Sequence, residues 1–407
     1  MAAAFPAPLI AQGAGPHVVV IGGGFGGASC ARALRKADPR IAVTLVEANA
    51  TYTALPHSNA VIGGLTDLSH QQFGYDKIKS AGIHVMLSPA TAVDPQGKSV
   101  TLADGTELSY ERLVVSPGVE FRPGAIQGYD AAARTIMPPA YNDGAEVALI
   151  RHQLEAMADG GVVVISSPVN PARCPPAPYE RASMIAHYLK TKKPKSKVIV
   201  LDAKESFTMQ KLFEAAWQKL YPGLIEWVGL SQGGALSQVD AKTKTLSTDF
   251  DKYTAAVANI IPPQQAGRVA VLAGVADRTG WCPVDPVTFE SKLQKNIHVI
   301  GDAAIAGAMP RSASAANSQG AICAAAIAAL LAGKTPPAPT LTSSCYSLIA
   351  PDYAISQKGT YRPADDQYAE AEGGPVISPQ DAPRATRHAE AQDADAWYRA
   401  ITGAVFG

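Results

Sequence analysis

Cysteine is scarce in this chain, with five residues in 407. That is too few for a disulfide scaffold. None falls in C-x-x-C or in the C-x-x-C-H that attaches c-type haem, so the chain carries no covalent haem. Neither sign of charge dominates, since Lys+Arg and Asp+Glu both number 35. This balance removes any global attraction to nucleic acid or an anionic membrane. No apolar run reaches about 18 residues, so no transmembrane helix is expected. The alanine-rich start, Met1–Gly15, lacks the basic region of a complete signal peptide. It reads as the remnant of a processed export segment or as a disordered tail. No metal site is expected.

Apolar residues make up 47% of the chain and charged ones 17%, which describes a globular protein with ample core. Its length favours two or three domains over one. The organising stretch is His17–Gly27, HVVVIGGGFGG. Val18–Ile21 is the short apolar run of a buried parallel strand. Gly22, Gly24 and Gly27 follow in the spacing G-x-G-x-x-G, with Phe25 and Gly26 between them. The first glycine allows a tight turn, the second lets backbone approach a pyrophosphate, and the third allows close helix–strand packing. Ala28–Lys36 then reads as a helix whose N-terminal N–H groups face the phosphates. A second strand, Ala42–Val46, ends at Glu47, about 20 residues on, where a carboxylate accepts hydrogen bonds from a ribose. Ala48 follows it.

Further along, Arg112–Ser116 is a buried strand closing on Pro117-Gly118. Gly161–Ile165 and Lys197–Leu201 are strands flanking a helix over Arg181–Leu189, a second β-α-β unit. Its turn, Ser166–Pro171, carries prolines where a nicotinamide-binding fold carries glycines. Proline removes N–H donors and fixes φ, so one dinucleotide is expected rather than two. A weaker β-rich segment occupies Ile225–Val257. Asn296–Ile300 returns as a strand ending in Gly301-Asp302, followed by an alanine-rich helix from Ser314 to Leu331. Lys334–Pro339 is a linker to a tail whose apolar ends are Cys345–Tyr353 and Ala394–Phe406.

The residues alone leave several roles open. Gly301-Asp302 fits a second cofactor contact, the carboxylate accepting from a ribityl or phosphate region while the following helix aims its positive end at a flavin pyrimidine. Cys174 lies just after the second-unit strand, at the sheet edge where open α/β folds place ligands. Cys345 opens an apolar piece far along the chain. Cys30 and Cys323 read as buried spectators, and Cys282 is ambiguous; spacing pairs none of them. Glu180 near a helix start is a dipole partner or a base. Trp397-Tyr398 reads as an aromatic anchor docking the tail on the body.

Five segments carry a resemblance over nearly the whole chain: VVVIGGGFGG, Asn170–Ser183 (NPARCPPAPYERAS), Gly280–Asp302, Ser314–Gly320 (SAANSQG) and Cys345–Pro351 (CYSLIAP). The chain resembles the flavoprotein subunit of flavocytochrome c sulfide dehydrogenase. The resemblance implies an α/β fold with two dinucleotide-binding-like (Rossmann-type) domains plus a C-terminal interface domain, like glutathione reductase. The corresponding limits are residues 16–128 with 265–336 for FAD, 129–264 for an NAD-like domain without NAD, and 337–407 for the interface. It also implies that Cys174 and Cys345 form a redox-active disulfide beside the flavin and that Glu180 is the active-site glutamate. The haem then belongs to a separate c-type cytochrome subunit, and the assembly is periplasmic; no twin arginine stands in Met1–Gly15. Many family members tether FAD through a cysteine that falls on Leu55 here. A leucine forms no thioether, so FAD is expected to be non-covalent. Two other readings share the scaffold: a sulfide:quinone oxidoreductase, and a non-catalytic flavoprotein partner of a sulfur-oxidation complex.

Overall fold

The computed structural model describes residues 15–407. The expectation placed on Met1–Gly15 lies outside the described residues, apart from Gly15 itself. Strand β1 (His17–Ile21) leads into helix α1 (Phe25–Ala37) and strand β2 (Ala42–Glu47). Helix α2 (Ser58–Gly63) and strands β3 (His84–Leu87) and β4 (Arg112–Val115) follow. Next come α3 (Gly144–Ala156), β5 (Val162–Ser167), α4 (Ala177–Lys192), β6 (Lys197–Asp202), α5 (Gln210–Leu220), β7 (Ile225–Val228) and β8 (Val257–Ile260). The chain closes with β9 (Ile297–Val299), α6 (Ala313–Leu331), β10 (Leu341–Ala350), β11 (Tyr353–Ala364) and α7 (Arg384–Phe406).

The first sheet runs β9-β4-β1-β2-β3, all parallel. Strand β1 sits inside it because Val18, Val19 and Val20 are apolar on both faces and fully excluded from water. Strand order reverses beside β1, which opens a crevice at the carboxyl ends of β1 and β4. Gly22 turns the chain there with φ +99°, and a Cβ on it would lie 2.2 Å from the Ser116 carbonyl oxygen. Gly27 lets α1 return onto the strand, since a Cβ there would lie 1.9 Å from the Gly22 carbonyl oxygen.

A second parallel sheet, β7-β6-β5-β8, has α4 crossing between β5 and β6. This helix is longer than the expected Arg181–Leu189 and begins at Ala177. Pro176 and Pro178 favour that start, because proline loses no bond in a first helical turn. The tail forms more regular structure than its mixed composition indicates. Strands β10 and β11 form a long antiparallel hairpin, extended by Gln367–Glu370 and Val376–Ile377, with α7 packed beside it.

Two features near Gly301-Asp302 add detail to the expected reading. Gly301-Asp302 opens a 3-10 turn, Gly301–Ala303, followed by a two-residue strand, and α6 begins at Ala313, one residue ahead of the expected Ser314. Helix α6 is also long and apolar enough, by length and composition, to cross a membrane. Ser314, Asn317, Ser318 and Gln319 interrupt its apolar run, so a search for unbroken runs misses it. Its apolar side chains meet α1, and Ala315, Cys323, Ala324 and Ile327 join the main core.

Candidate active site

A cavity of about 910 Å³ opens where the two nucleotide folds and the C-terminal sheet meet. Gly22, Gly24, Phe25, Gly26, Glu47, Ala48, Leu55, Gly118, Gly301, Asp302, Cys174, Glu180 and Cys345 all line it. Gly27 does not; it serves the helix–strand contact described above.

At one end, α1 starts at Gly24 with no side-chain cap and no acidic residue in its first turn. Its first N–H groups are thus left for a ligand, and the helix dipole favours an anionic one. Glu47 stands beside this turn: Gly23 N–H donates to Oε2 at 2.7 Å and Asn49 N–H to Oε1 at 3.1 Å. Asp302 borders the same space, with Oδ2 accepting from Arg173 Nε at 2.7 Å while the buried Oδ1 has no partner among the described residues. The start of α6 (Ser312, Ala313, Ala316) closes that wall with its positive end inward. An uncapped helix start, a carboxylate at the end of the second strand and an orphaned carboxylate oxygen fit a dinucleotide with hydroxyl donors. FAD has these groups.

At the other end the cysteines meet. Cys174 sits in the loop ahead of α4 with φ +47°, a left-handed conformation costly for a residue with a Cβ. Its N–H donates to the Arg311 carbonyl at 2.8 Å, which holds it there. Cys345 comes from β10, opposite Gln357 of β11. Both are free thiols, and Cys174 lies close enough to Cys345 to act on its ionisation. The Cys174 contact, then burial and the charge of Glu180, push the Cys345 thiol well above its ordinary pKa.

Glu180 occupies the first turn of α4 and is buried. Asn59 Nδ2 donates to its Oε2 at 3.1 Å and Leu348 N–H to its Oε1 at 3.1 Å. Burial dominates these bonds and lifts its pKa to about 7. Such a carboxyl group can take up or release a proton near neutrality.

Several neighbours are invisible to motif reading. Arg173, next to Cys174, binds Asp302, the Tyr141 carbonyl at 2.5 Å and Asn142 Oδ1 at 3.2 Å. Arg181 is buried and donates to Asn59 Oδ1, Asn259 Oδ1 and the carbonyls of Pro139 and Ala140, all between 2.8 and 3.0 Å. The ring of Tyr141 lies under its guanidinium. The one available signal was adjacency: Arg173 precedes Cys174, and Arg181 follows Glu180. Tyr398 anchors the tail, whereas its neighbour Trp397 lines the cavity.

The second nucleotide fold is filled from within. Asp202, at the carboxyl end of β6, is fully buried and accepts from Tyr179 Oη at 2.5 Å, Trp227 Nε1 at 3.0 Å and Lys204 Nζ at 2.6 Å. Phe207 stacks on Tyr179 with centroids 3.6 Å apart.

Two nucleotide folds in tandem, with the cavity at the switch point of the first, define an FAD-dependent oxidoreductase of the disulfide-reductase architecture. Residues 16–151 match the pyridine nucleotide-disulphide oxidoreductase family. Residues 147–262 match the central domain of the sulfide dehydrogenase [flavocytochrome c] flavoprotein chain, and 337–406 the flavin-binding domain of flavocytochrome c sulphide dehydrogenase. A flavocytochrome c sulfide dehydrogenase flavoprotein chain from Chlorobaculum thiosulfatiphilum is 64% identical over 45 residues, covering 11% of this chain and 94% of that sequence. The chain belongs to the family of flavoproteins that comprises the flavocytochrome c sulfide dehydrogenases and the sulfide:quinone oxidoreductases. The mitochondrial sulfide:quinone oxidoreductase of Mus musculus is 23% identical over 300 residues, 70% of this chain. The chain spans 65% of that relative's length. In fold, it is similar to the sulfide:quinone oxidoreductase of Aquifex aeolicus, with a TM-score of 0.74 at 16% identity, covering 96% of this chain and 92% of that one.

Proposed function

We propose that the chain is an FAD-dependent sulfide dehydrogenase that oxidises sulfide at Cys174 and Cys345 and passes the electrons to a c-type cytochrome. The observation that carries this reading is the meeting of two cysteines, distant in sequence, at one wall of the flavin-sized cavity, next to a carboxyl group with a near-neutral pKa.

In the oxidised state the two sulfurs form a disulfide. Hydrosulfide attacks one sulfur, breaking the S–S bond to give a persulfide on one cysteine and a thiolate on the other. Re-forming the disulfide releases sulfur at the zero oxidation state, one proton and two electrons. Glu180 receives the proton. The strained turn at Cys174 and the ladder around Cys345 hold both cysteines at the cavity wall. FAD bound in the cavity supplies a two-electron acceptor that can hand electrons on singly. Gly24 and the start of α1 would hold its pyrophosphate, Glu47 its adenosine ribose, and Asp302 its ribityl chain. Leu55 offers no nucleophile, which supports non-covalent binding.

The second nucleotide fold takes no nicotinamide in this reading, since Asp202 is already satisfied by Tyr179, Trp227 and Lys204. The name of the Chlorobaculum relative supports a cytochrome acceptor, and a periplasmic location follows from such a partner. Anaerobic titration with sulfide should bleach the flavin stoichiometrically, and Cys174→Ser or Cys345→Ser should abolish bleaching while leaving FAD bound. Bleaching retained in both variants would remove the cysteines from the mechanism. Faster turnover with a soluble quinone than with cytochrome c would move the chain to the quinone-reducing class. No bleaching at all in the unsubstituted protein would leave a flavin-binding accessory role.

A further inference from the structure

The segment after β2 runs along the cavity as a strap. Leu55, Pro56, His57, Ser58 and Asn59 all face the space. Its limbs are joined by two strand pairs, Tyr52 with Phe73 and Thr53 with Gln72, and by the Ala54 N–H bond to the Gln71 carbonyl at 2.7 Å, while Asn59 at its far end is tied to Glu180 and Arg181. That is less backbone pairing than an independently stable hairpin needs, and the stretch between these ties, centred on His57, takes further support from outside.

Helix α7 does so through one face. The Tyr398 ring stacks on His57, with centroids 4.7 Å apart and planes at 22°. Asp395, one turn earlier, brings Oδ1 to 3.6 Å from His57 Nδ1. Tyr398 Oη also donates to the His70 carbonyl at 3.0 Å, on the returning limb of the strap. Two turns on, Phe406 stacks on Phe73 at 5.1 Å and meets Tyr52 at 5.1 Å and Phe25 at 5.4 Å. His57 itself is held at φ +66°, as the residue before α2.

We propose that α7 is the cofactor latch of this protein, and that His57 and Tyr398 are FAD-retention residues. Their stack, with Asp395 and the bond to His70, holds the strap shut along the cavity and sets how slowly FAD leaves. This rests on the non-covalent reading: with leucine at position 55, retention has to come from closure of the protein around the cofactor.

The test begins with acid precipitation of the unsubstituted holoprotein, which reads the underlying assumption alone. Flavin in the supernatant upholds non-covalent binding; flavin in the pellet overturns it and the latch together. The next measurement is the rise of free-flavin fluorescence after dilution of holoprotein carrying His57→Leu, Tyr398→Ala or Tyr398→Phe, with circular dichroism as the check on folding. Asp393→Asn, at an exposed site of the same helix, is the reference. Loss of one aromatic stack should speed FAD release about tenfold in Tyr398→Ala. His57→Leu should fall between that variant and the reference, and Tyr398→Phe, which keeps the ring and loses the hydroxyl's bonds to His70 and Gln71, should change release by a few-fold. Release rates within twofold of the reference in folded His57→Leu and Tyr398→Phe would overturn the latch, even if Tyr398→Ala failed to fold.

Discussion

Asn59 donates to Glu180 across 3.1 Å although 121 positions separate them. The bond joins the cavity strap of the first nucleotide fold to the cysteine-bearing segment of the second. Arg181 holds the other end of the Asn59 amide through its Nε at 3.0 Å. The amide therefore has a fixed orientation, nitrogen toward the carboxylate and oxygen toward the guanidinium.

Replacing Asn59 by Asp keeps the acceptor that Arg181 needs. It removes the donor to Glu180 and sets a second carboxylate against the first. Like charges this close raise a carboxyl pKa by a unit or more. If Glu180 accepts the proton during sulfide oxidation, the rate of flavin bleaching should rise with pH through about 7 in the unsubstituted protein. In Asn59→Asp that rise should move to higher pH by roughly one unit or more, with FAD content unchanged. A limb that stays where it was would show that some other group controls it.

The same carboxyl group has a consequence for folding. Burial raises the Glu180 pKa from an ordinary 4.5 to about 7, despite the opposing bonds from Leu348 and Asn59. The folded state thus binds this proton more tightly than the unfolded state does. The resulting stabilisation is complete below the unfolded value and is lost as pH rises from there through the folded one. The change amounts to about 3 kcal/mol across that window. Glu180→Gln removes the titration, so thermal stability measured relative to the unsubstituted protein should improve steadily between pH 5 and 8. A difference independent of pH would mean that Glu180 ionises freely in the folded protein.

Arg173 and Asp302 form a largely buried ion pair at the cavity wall, with side-chain exposures of 19% and 13%. Arg173→Met would leave that carboxylate unpaired beside an anionic cofactor. Breaking such a pair from one side costs about 3–5 kcal/mol. Urea unfolding of the holoprotein should show a loss near the lower end of that range, together with reduced FAD content. Adding Asp302→Asn should recover part of both. A double variant no better than the single one would mean that packing, rather than charge, sets the cost.

Much of this architecture was legible in the sequence because it depends on short-range rules. The valines of β1, the glycine spacing and Glu47 obey period and distance constraints that any nucleotide fold imposes. Cys174, Cys345 and Glu180 were legible only through the specificity of the segments that hold them, since spacing says nothing about which distant residues meet. Arg181 and Asn59 escaped because a buried arginine satisfied by four acceptors on three separate segments leaves no local signature. The tail escaped for a different reason. Strand β11 alternates buried with exposed positions only in part, and the polar face of α7 dilutes its apolar one. The apolarity of α6 was hidden by four polar residues near its start, although most of the helix packs against α1 and the core.

The last prediction concerns the fold that resembles a nicotinamide site. In such folds a carboxylate at the end of the second strand receives a ribose hydroxyl. Asp202 stands at that place on β6, but Tyr179 and Trp227 occupy Oδ2 and Lys204 occupies Oδ1. Lys204 is also spent on Ser167 Oγ and the Pro168 carbonyl, each at 2.8 Å. Phe207 covers Tyr179 on the outside. A ribose would have to break three bonds to a fully buried carboxylate and displace a stacked ring, and it offers two hydroxyl groups in return. Leaving buried partners such as Trp227 Nε1 unpaired costs about 1–3 kcal/mol each, which outweighs one or two new hydrogen bonds. NADH should therefore leave the flavin oxidised under anaerobic conditions and should not raise the melting temperature, whereas sulfide bleaches the same sample. Bleaching by NADH at a rate comparable to sulfide would mean that the Asp202 cluster opens, and that this fold is a working nucleotide site after all.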